Sequence, residues 1–308
     1  MNRIFDLLLP WIFLGFVMPL KAQDCLPSSV RYNEVQQLSS HNSFTPHRYK
    51  PDIRVQADSG IRSFELDIHA RAFGRHAYPS KVWKVYHLTH RKSREIYGHT
   101  LNDFLLKFSQ WHQQHPNHEV ITIWIQLRGG WDKLGHNPAT LDTVFLTALP
   151  SGTVYTPADL LASNPSASNL QEAAAGGWPE LSKLSGKFLI VLTGNVQACE
   201  EYLGGKKHSC FVAPQNKDSL TIRALRNAVF FNFSSGHIPE ASFASGLGLV
   251  SRVYAIPKVF SGGSIEKTDT YTRAVSGKVQ HIVTDHVTQQ LFLPRLLNAC
   301  GKPFRLIH

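Results

Sequence analysis

Two carboxylates one residue apart, Glu65 and Asp67, are where this 308-residue chain most plainly offers chemistry. On an extended strand, residues i and i+2 point to the same face, only ~7 Å apart along the backbone. Like charges at that spacing raise one another's proton affinity unless a cation lies between them. Hard oxygen ligands suit calcium, with magnesium as the alternative. Upstream, His41-Asn42-Ser43 adds an amide oxygen that can ligate and an imidazole that can donate or carry a proton. Downstream, His87 closes another strand-like run. The chain holds sixteen histidines, so a given one is more often a surface or hydrogen-bonded residue than a catalyst. His69, His76, His90, His99, His112, His115 and His118 are read in that ordinary way. His41 and His87 differ, because each follows a strand and the two frame the acidic pair.

The elements that must position these groups follow from hydrophobic periodicity. Residues 60–69 alternate with a period of two, setting Phe64, Leu66 and Ile68 on one face and Glu65 and Asp67 on the other. Further strands are predicted at 35–38, 82–87, 120–127, 188–192, 228–233, 248–254 and 281–283. Thr100-Leu-Asn-Asp103 has the form of a capping box, and Leu101, Phe104, Leu105, Phe108 and Trp111 follow at helical spacing until Pro116. Another helix is expected at 269–276. Residues 163–175 read as a surface loop leading into a short helical stretch. Strands alternating with helices over this length predict an α/β fold with a parallel sheet. Glu65, Asp67 and His87 stand at the C-terminal ends of predicted strands, where a TIM barrel carries its chemistry. An open doubly wound sheet is disfavoured, since no glycine-rich phosphate loop is present.

Ser40-His41-Asn42-Ser43-Phe44, then residues 60–67, then Val85-Tyr86-His87, resemble the phosphatidylinositol-specific phospholipase C superfamily. The nearest likeness is to its secreted, calcium-dependent group. Residues 111–118, 156–160, 177–190 and 276–285 extend the likeness over nearly the whole chain. The resemblance implies a TIM barrel in which Asn42, Glu65 and Asp67 bind calcium, with His41 and His87 flanking the scissile phosphate. It implies attack by a neighbouring inositol hydroxyl on phosphorus, with His87 as general acid, His41 as donor to the phosphoryl oxygen, and Glu65 or another carboxylate as base. One departure stands out. Where the calcium-dependent pattern has a further glutamate, this chain has Gln126, which keeps an oxygen ligand and loses a charge. Arg128, Arg252 and Tyr254 are the expected substrate contacts, and Asp285 either orients a catalytic histidine or caps an element. The inner end of the strand at 187–193 lacks the lysines that read extra ring phosphates in the eukaryotic signalling enzymes, which favours unphosphorylated phosphatidylinositol or another simple phosphodiester. The alternatives are a glycerophosphodiesterase or sphingomyelinase D-like enzyme, or a silent barrel that binds anionic lipid or glycan.

The start of the chain reads as an export signal, residues 1–22: a basic first stretch, an apolar core, and a small residue before polar sequence. Residues 23–308 are then expected to be one barrel domain, secreted or periplasmic, and monomeric. Thirty-two basic residues against 22 acidic ones give +10, a charge that attracts anionic surfaces. Loss of Arg3, Asp6 and Lys21 with the signal lowers it by one. Taken alone the charge does not choose between phospholipid and nucleic acid. It is spread along the chain with no arginine-rich arm, and the resemblance implies a phospholipid partner, in transient membrane contact, and no nucleic acid. In an exported chain four cysteines suggest disulfides, and three pairings are open to them. Cys199 and Cys210 flank a polar loop that could close as a hairpin, which leaves Cys25 with Cys300.

Overall fold

The structure is a computed structural model that describes residues 29–45, 51–71, 79–87, 99–132, 135–204, 208–254, 266–285, 287 and 304–307. The expected export signal and the Cys25–Cys300 pair lie outside the described residues. Eleven strands are found there: β1 (Val35–Ser40), β2 (Ser63–Arg71), β3 (Pro79–Val85), β4 (Ile121–Leu127), β5 (Val154–Tyr155), β6 (Phe188–Gly194), β7 (Phe211–Val212), β8 (Phe230–Ser234), β9 (Val250–Tyr254), β10 (His281–Thr284) and β11 (Arg305–Leu306). Eight of them pair in parallel in the order β7-β6-β4-β2-β1-β10-β9-β8. A parallel bridge between Gln215 and Asn232 joins the two ends of that row. Backbone bonds from Asn232 N–H to the Pro214 carbonyl (3.1 Å) and from Asn216 N–H to the Asn232 carbonyl (3.0 Å) flank it. The ring is closed, and the expected α/β TIM-type barrel is what the chain forms.

Period-two sequence builds the two faces of its wall. On β4 the outward Ile121, Ile123, Ile125 and Leu127 pack with Phe64, Leu66 and Ile68 of β2 beneath the helix Leu101–Gln114. That helix starts as expected: the Thr100 hydroxyl accepts from Asp103 N–H, and Asp103 accepts from Thr100 N–H. The inward residues Thr122, Trp124 and Gln126 stand in register with Ser63, Glu65 and Asp67. They form layers, as the inward side chains of such barrels do. The bottom layer is polar. The Tyr32 hydroxyl plugs it from a short turn before β1, bonded to Thr122 Oγ1 (2.7 Å) and His281 Nε2 (3.1 Å). Above it, Ser63 Oγ meets Ser39 Oγ (2.8 Å), His281 Nδ1 (2.9 Å) and Trp124 Nε1 (3.1 Å). Gly194 ends β6 at φ +110°, and a Cβ there would stand 2.4 Å from the Leu127 carbonyl oxygen, so only glycine fits beside β4.

Three expectations need correction. The strand before His87 is not a wall strand: β3 runs antiparallel to β2, pairing Ile68 with Val85. His87 therefore reaches the barrel mouth from a hairpin folded back along β2. The wall strand β7 has only two residues and was not anticipated. Cys199 and Cys210 are both buried free thiols. The segment after Cys199 continues the helix Val196–Gly204 instead of turning as a hairpin, so the expected bridge is not formed in this structure. Among the described residues no helix is long and apolar enough to cross a membrane.

Candidate active site

The site begins with a strained turn. Asn42 follows β1 at φ +45°, a left-handed conformation that asparagine tolerates better than most residues. The turn is fixed to β2 by two bonds. Ser43 N–H donates to the Glu65 carbonyl (2.9 Å), and Glu65 N–H donates to Ser43 Oγ (2.9 Å). Local sequence thus ties the His-Asn-Ser segment to the acidic strand, which explains why two motifs more than twenty residues apart act as one.

His41 Nδ1 lies 2.9 Å from Asp285 Oδ1 at the end of β10. Asp285 holds the imidazole at Nδ1 and leaves Nε2 toward Asn42 Nδ2 (3.3 Å). Burial works against a charge on His41, but Glu65 and Asp285 outweigh burial and the repulsion of Arg252, so its proton affinity is raised. His87 Nε2 stands 3.9 Å from Asp67 Oδ2.

Each of the paired carboxylates has its own arginine. Glu65 is buried, and its Oε2 accepts from Arg252 Nη2 (2.7 Å) and from Asn42 N–H (3.3 Å). Burial alone would raise its pKa, but Arg252 and then His41 hold the carboxyl far below its usual range. Asp67 is fully buried and accepts on Oδ2 from Arg128 Nε and Nη2, both at 3.0 Å. Burial and the neighbouring Glu65 nevertheless push its pKa up, against the pull of Arg128. Gln126 links the two pairs: with its amide turned to satisfy its neighbours, its nitrogen donates to Glu65 Oε1 (2.7 Å) and its oxygen accepts from Arg128 Nη1 (3.1 Å).

Arg252 departs most from its expected role. It is the largest charged side chain wholly inside the barrel, donating also to Asn232 Oδ1 (3.1 Å) and Ser39 Oγ (3.4 Å). Its guanidinium lies 4.9 Å from the Trp124 ring centre. Each of its three nitrogens has a protein acceptor, and the short bond to Glu65 makes it that carboxylate's counter-ion. Tyr254, two residues on along the same face, stands half-buried at the rim. Asn232 and Trp124 are members of the site that sequence reasoning missed. The available signal was a lone Asn inside Phe230-Phe231-Asn232-Phe233.

The oxygens present fit a hard cation. Asn42 Oδ1 and Asp67 Oδ1 are both buried and have no hydrogen-bond partner. Two orphaned oxygens at the acidic pair, beside a glutamine amide that can turn its oxygen inward, are the donor chemistry calcium uses. Among the described residues no three His, Cys, Asp or Glu side chains converge as a metal group, so amide oxygens must complete any such set.

Residues 75–212 match the family described as phosphoinositide phospholipase C, Ca2+-dependent. The match includes His87, Gln126 and Arg128, and leaves His41, Asn42, Glu65 and Asp67 outside it. The fold resembles that of the calcium-dependent phosphoinositol-specific phospholipase C of a Pseudomonas species, with a TM-score of 0.75 at 21% identity, covering 91% of this chain and 97% of that one. It also resembles the Ca2+-dependent phosphatidylinositol-specific phospholipase C of Streptomyces antibioticus, with a TM-score of 0.67 at 22% identity over 84% and 95% of the two chains. No curated protein matches the sequence. The chain shares the barrel fold of these calcium-dependent enzymes, and its residues 75–212 carry the sequence pattern of the calcium-dependent phosphoinositide phospholipase C family.

Proposed function

We propose that the chain cleaves phosphatidylinositol or a close phosphodiester by attack of the neighbouring ring hydroxyl on phosphorus, giving a cyclic inositol phosphate and a diacylglycerol. The observation that carries this reading is the His41–Asp285 pair set over the Glu65–Asp67 strand end. A histidine whose neighbouring carboxylates raise its proton affinity suits a donor to a phosphoryl oxygen, because the transition state gathers charge there. His87 is assigned as general acid to the leaving oxygen. For the base, the geometry favours Asp67 over Glu65: both Glu65 oxygens are engaged by donors, whereas Asp67 keeps one oxygen without a partner.

Asn42, Glu65, Asp67 and Gln126 would hold calcium, and the bound ion would lower the attacking hydroxyl's pKa and offset charge on phosphorus. The inward face of β6 supports an unphosphorylated headgroup. Thr193 donates to the Ala213 carbonyl (2.8 Å), and the other inward residues, Leu189 and Val191, are apolar. A ring phosphate would meet no cation on that strand. The test is turnover on phosphatidylinositol against phosphatidylcholine and glycerophosphodiesters, with phosphorus NMR of the products. Release of choline or glycerol phosphate would replace this reading with the glycerophosphodiesterase or sphingomyelinase D-like one.

A further inference from the structure

The charge count at the mouth differs from that of an open divalent site. Two carboxylates meet two guanidiniums, and the residue that links them, Gln126, is neutral. A divalent cation arriving at the orphaned oxygens of Asn42 and Asp67 would enter a cluster whose formal charge is already balanced. The two ion pairs are not equivalent. Arg252 is fully buried, and Glu65, Asn232, Ser39 and the Trp124 ring hold it from several sides. Moving it would strand a buried charge. Arg128 is about one-third exposed (35%), and its fork rests on a single oxygen of Asp67. It can swing into solvent at little cost, because an exposed guanidinium recovers its hydration there.

We propose that Arg128 is the resident counter-ion of Asp67 and competes with the divalent cation for that carboxylate, so that Arg128 sets the affinity of the metal site. Arg252 stays with Glu65 in both states. When the cation binds, Arg128 leaves Asp67 and Gln126 turns its amide oxygen toward Glu65. The metal is thus an exchangeable occupant, and the carboxylate pair remains neutralised without it. The proposal rests on the cation site named above, but not on any turnover.

Calcium binding read by isothermal titration calorimetry on chelator-stripped protein tests this at fixed ionic strength. Arg128→Gln removes the competitor and is expected to tighten calcium at least tenfold, whereas Arg128→Lys, which keeps the charge, should stay within about threefold of the natural chain. Gln126→Glu leaves the competitor in place and gives the cluster a surplus negative charge, so it should also tighten calcium at least tenfold. Should Arg128→Gln fold poorly without metal, its melting temperature should rise with calcium by more than that of the natural chain. Unchanged or weaker calcium affinity in Arg128→Gln overturns the proposal, as does loss of calcium binding in Arg128→Lys alone. Tightened binding with no phosphodiester turnover would leave this inference standing and remove the functional reading instead.

Discussion

Two groups of histidines sit at opposite ends of this barrel and respond to their surroundings in opposite ways. At the mouth, His41 faces Asp285 and Glu65, and its proton is held more tightly than usual. At the other end, where the helix Leu101–Gln114 gives way to β4, His112 Nδ1 meets His118 Nε2 (3.1 Å) among Trp111, His115 and Phe188. There burial, aided by His112 and Arg62, drives the His118 pKa down to about 4. Residue type is constant across the two ends, and the nearest carboxylate is what differs. Acids beside His41 make a charge carrier, whereas rings and another histidine make His118 a neutral packing group.

The largest effect should come from the mouth. His41→Ala is expected to lower kcat for phosphatidylinositol by about 10²–10⁴-fold while leaving the melting temperature near that of the natural chain. His118→Gln should do the reverse, lowering the melting temperature with little change in kcat. Equal losses of turnover in the two variants would erase the contrast. Arg252→Met should cost about 3–5 kcal/mol of stability in chemical unfolding, because it leaves Glu65 buried without its partner. The paired change of Glu65 and Arg252 to Gln and Met should be milder than the single one.

Asp285→Asn is expected to be weaker than His41→Ala but informative in its sign. Asp285 raises the His41 pKa, so its removal should shift the limb of kcat/KM that reports loss of the His41 proton to lower pH. A shift to higher pH would mean that Asp285 does not act through His41.

How far these groups could be read from sequence depends on the range of the physics. The shared face of Glu65 and Asp67 was legible because strand alternation is a local rule, whereas His41 and Asn42, in the turn after β1, were joined to them only by following a strand and by the motif resemblance. The cap at Thr100 was legible for the same reason. The hairpin that carries His87 was not, since parallel and antiparallel partners leave the same period-two trace. Two-residue β7 has no period at all. Arg252 was found as a residue, but its pairing with Glu65 was not. Its burial depends on β9 lying across the barrel from β2, which no window of sequence contains. The sequence likewise kept Cys199 and Cys210 as a candidate bridge because a helix and a polar loop between them look alike at that length.

A smaller effect concerns acid stability. The His118 pKa lies below its unfolded value of about 6.5, so the unfolded chain binds more protons between about pH 6.5 and pH 4. Its contribution to stability is thus present above that window and is lost as pH falls through it. His69, stacked on Tyr86 with a ring separation of 3.7 Å, follows the same rule, because burial first, with Arg128 and His87 second, lowers its pKa to about 4. Each should account for roughly 1–2 kcal/mol after solvent screening. The steepness of the melting temperature against pH between 6.5 and 4 should therefore fall in His118→Gln, and stay unchanged in His41→Gln.

The central claim is that the mouth of this barrel cleaves an inositol phosphodiester by attack of the substrate's own hydroxyl. Phosphorus NMR of phosphatidylinositol vesicles treated with the chain in calcium tests it most directly. A cyclic inositol phosphate is expected as the first phosphorus product, and His41→Ala should abolish it. Direct release of an acyclic inositol phosphate with no cyclic precursor, or turnover unchanged in His41→Ala, would contradict it.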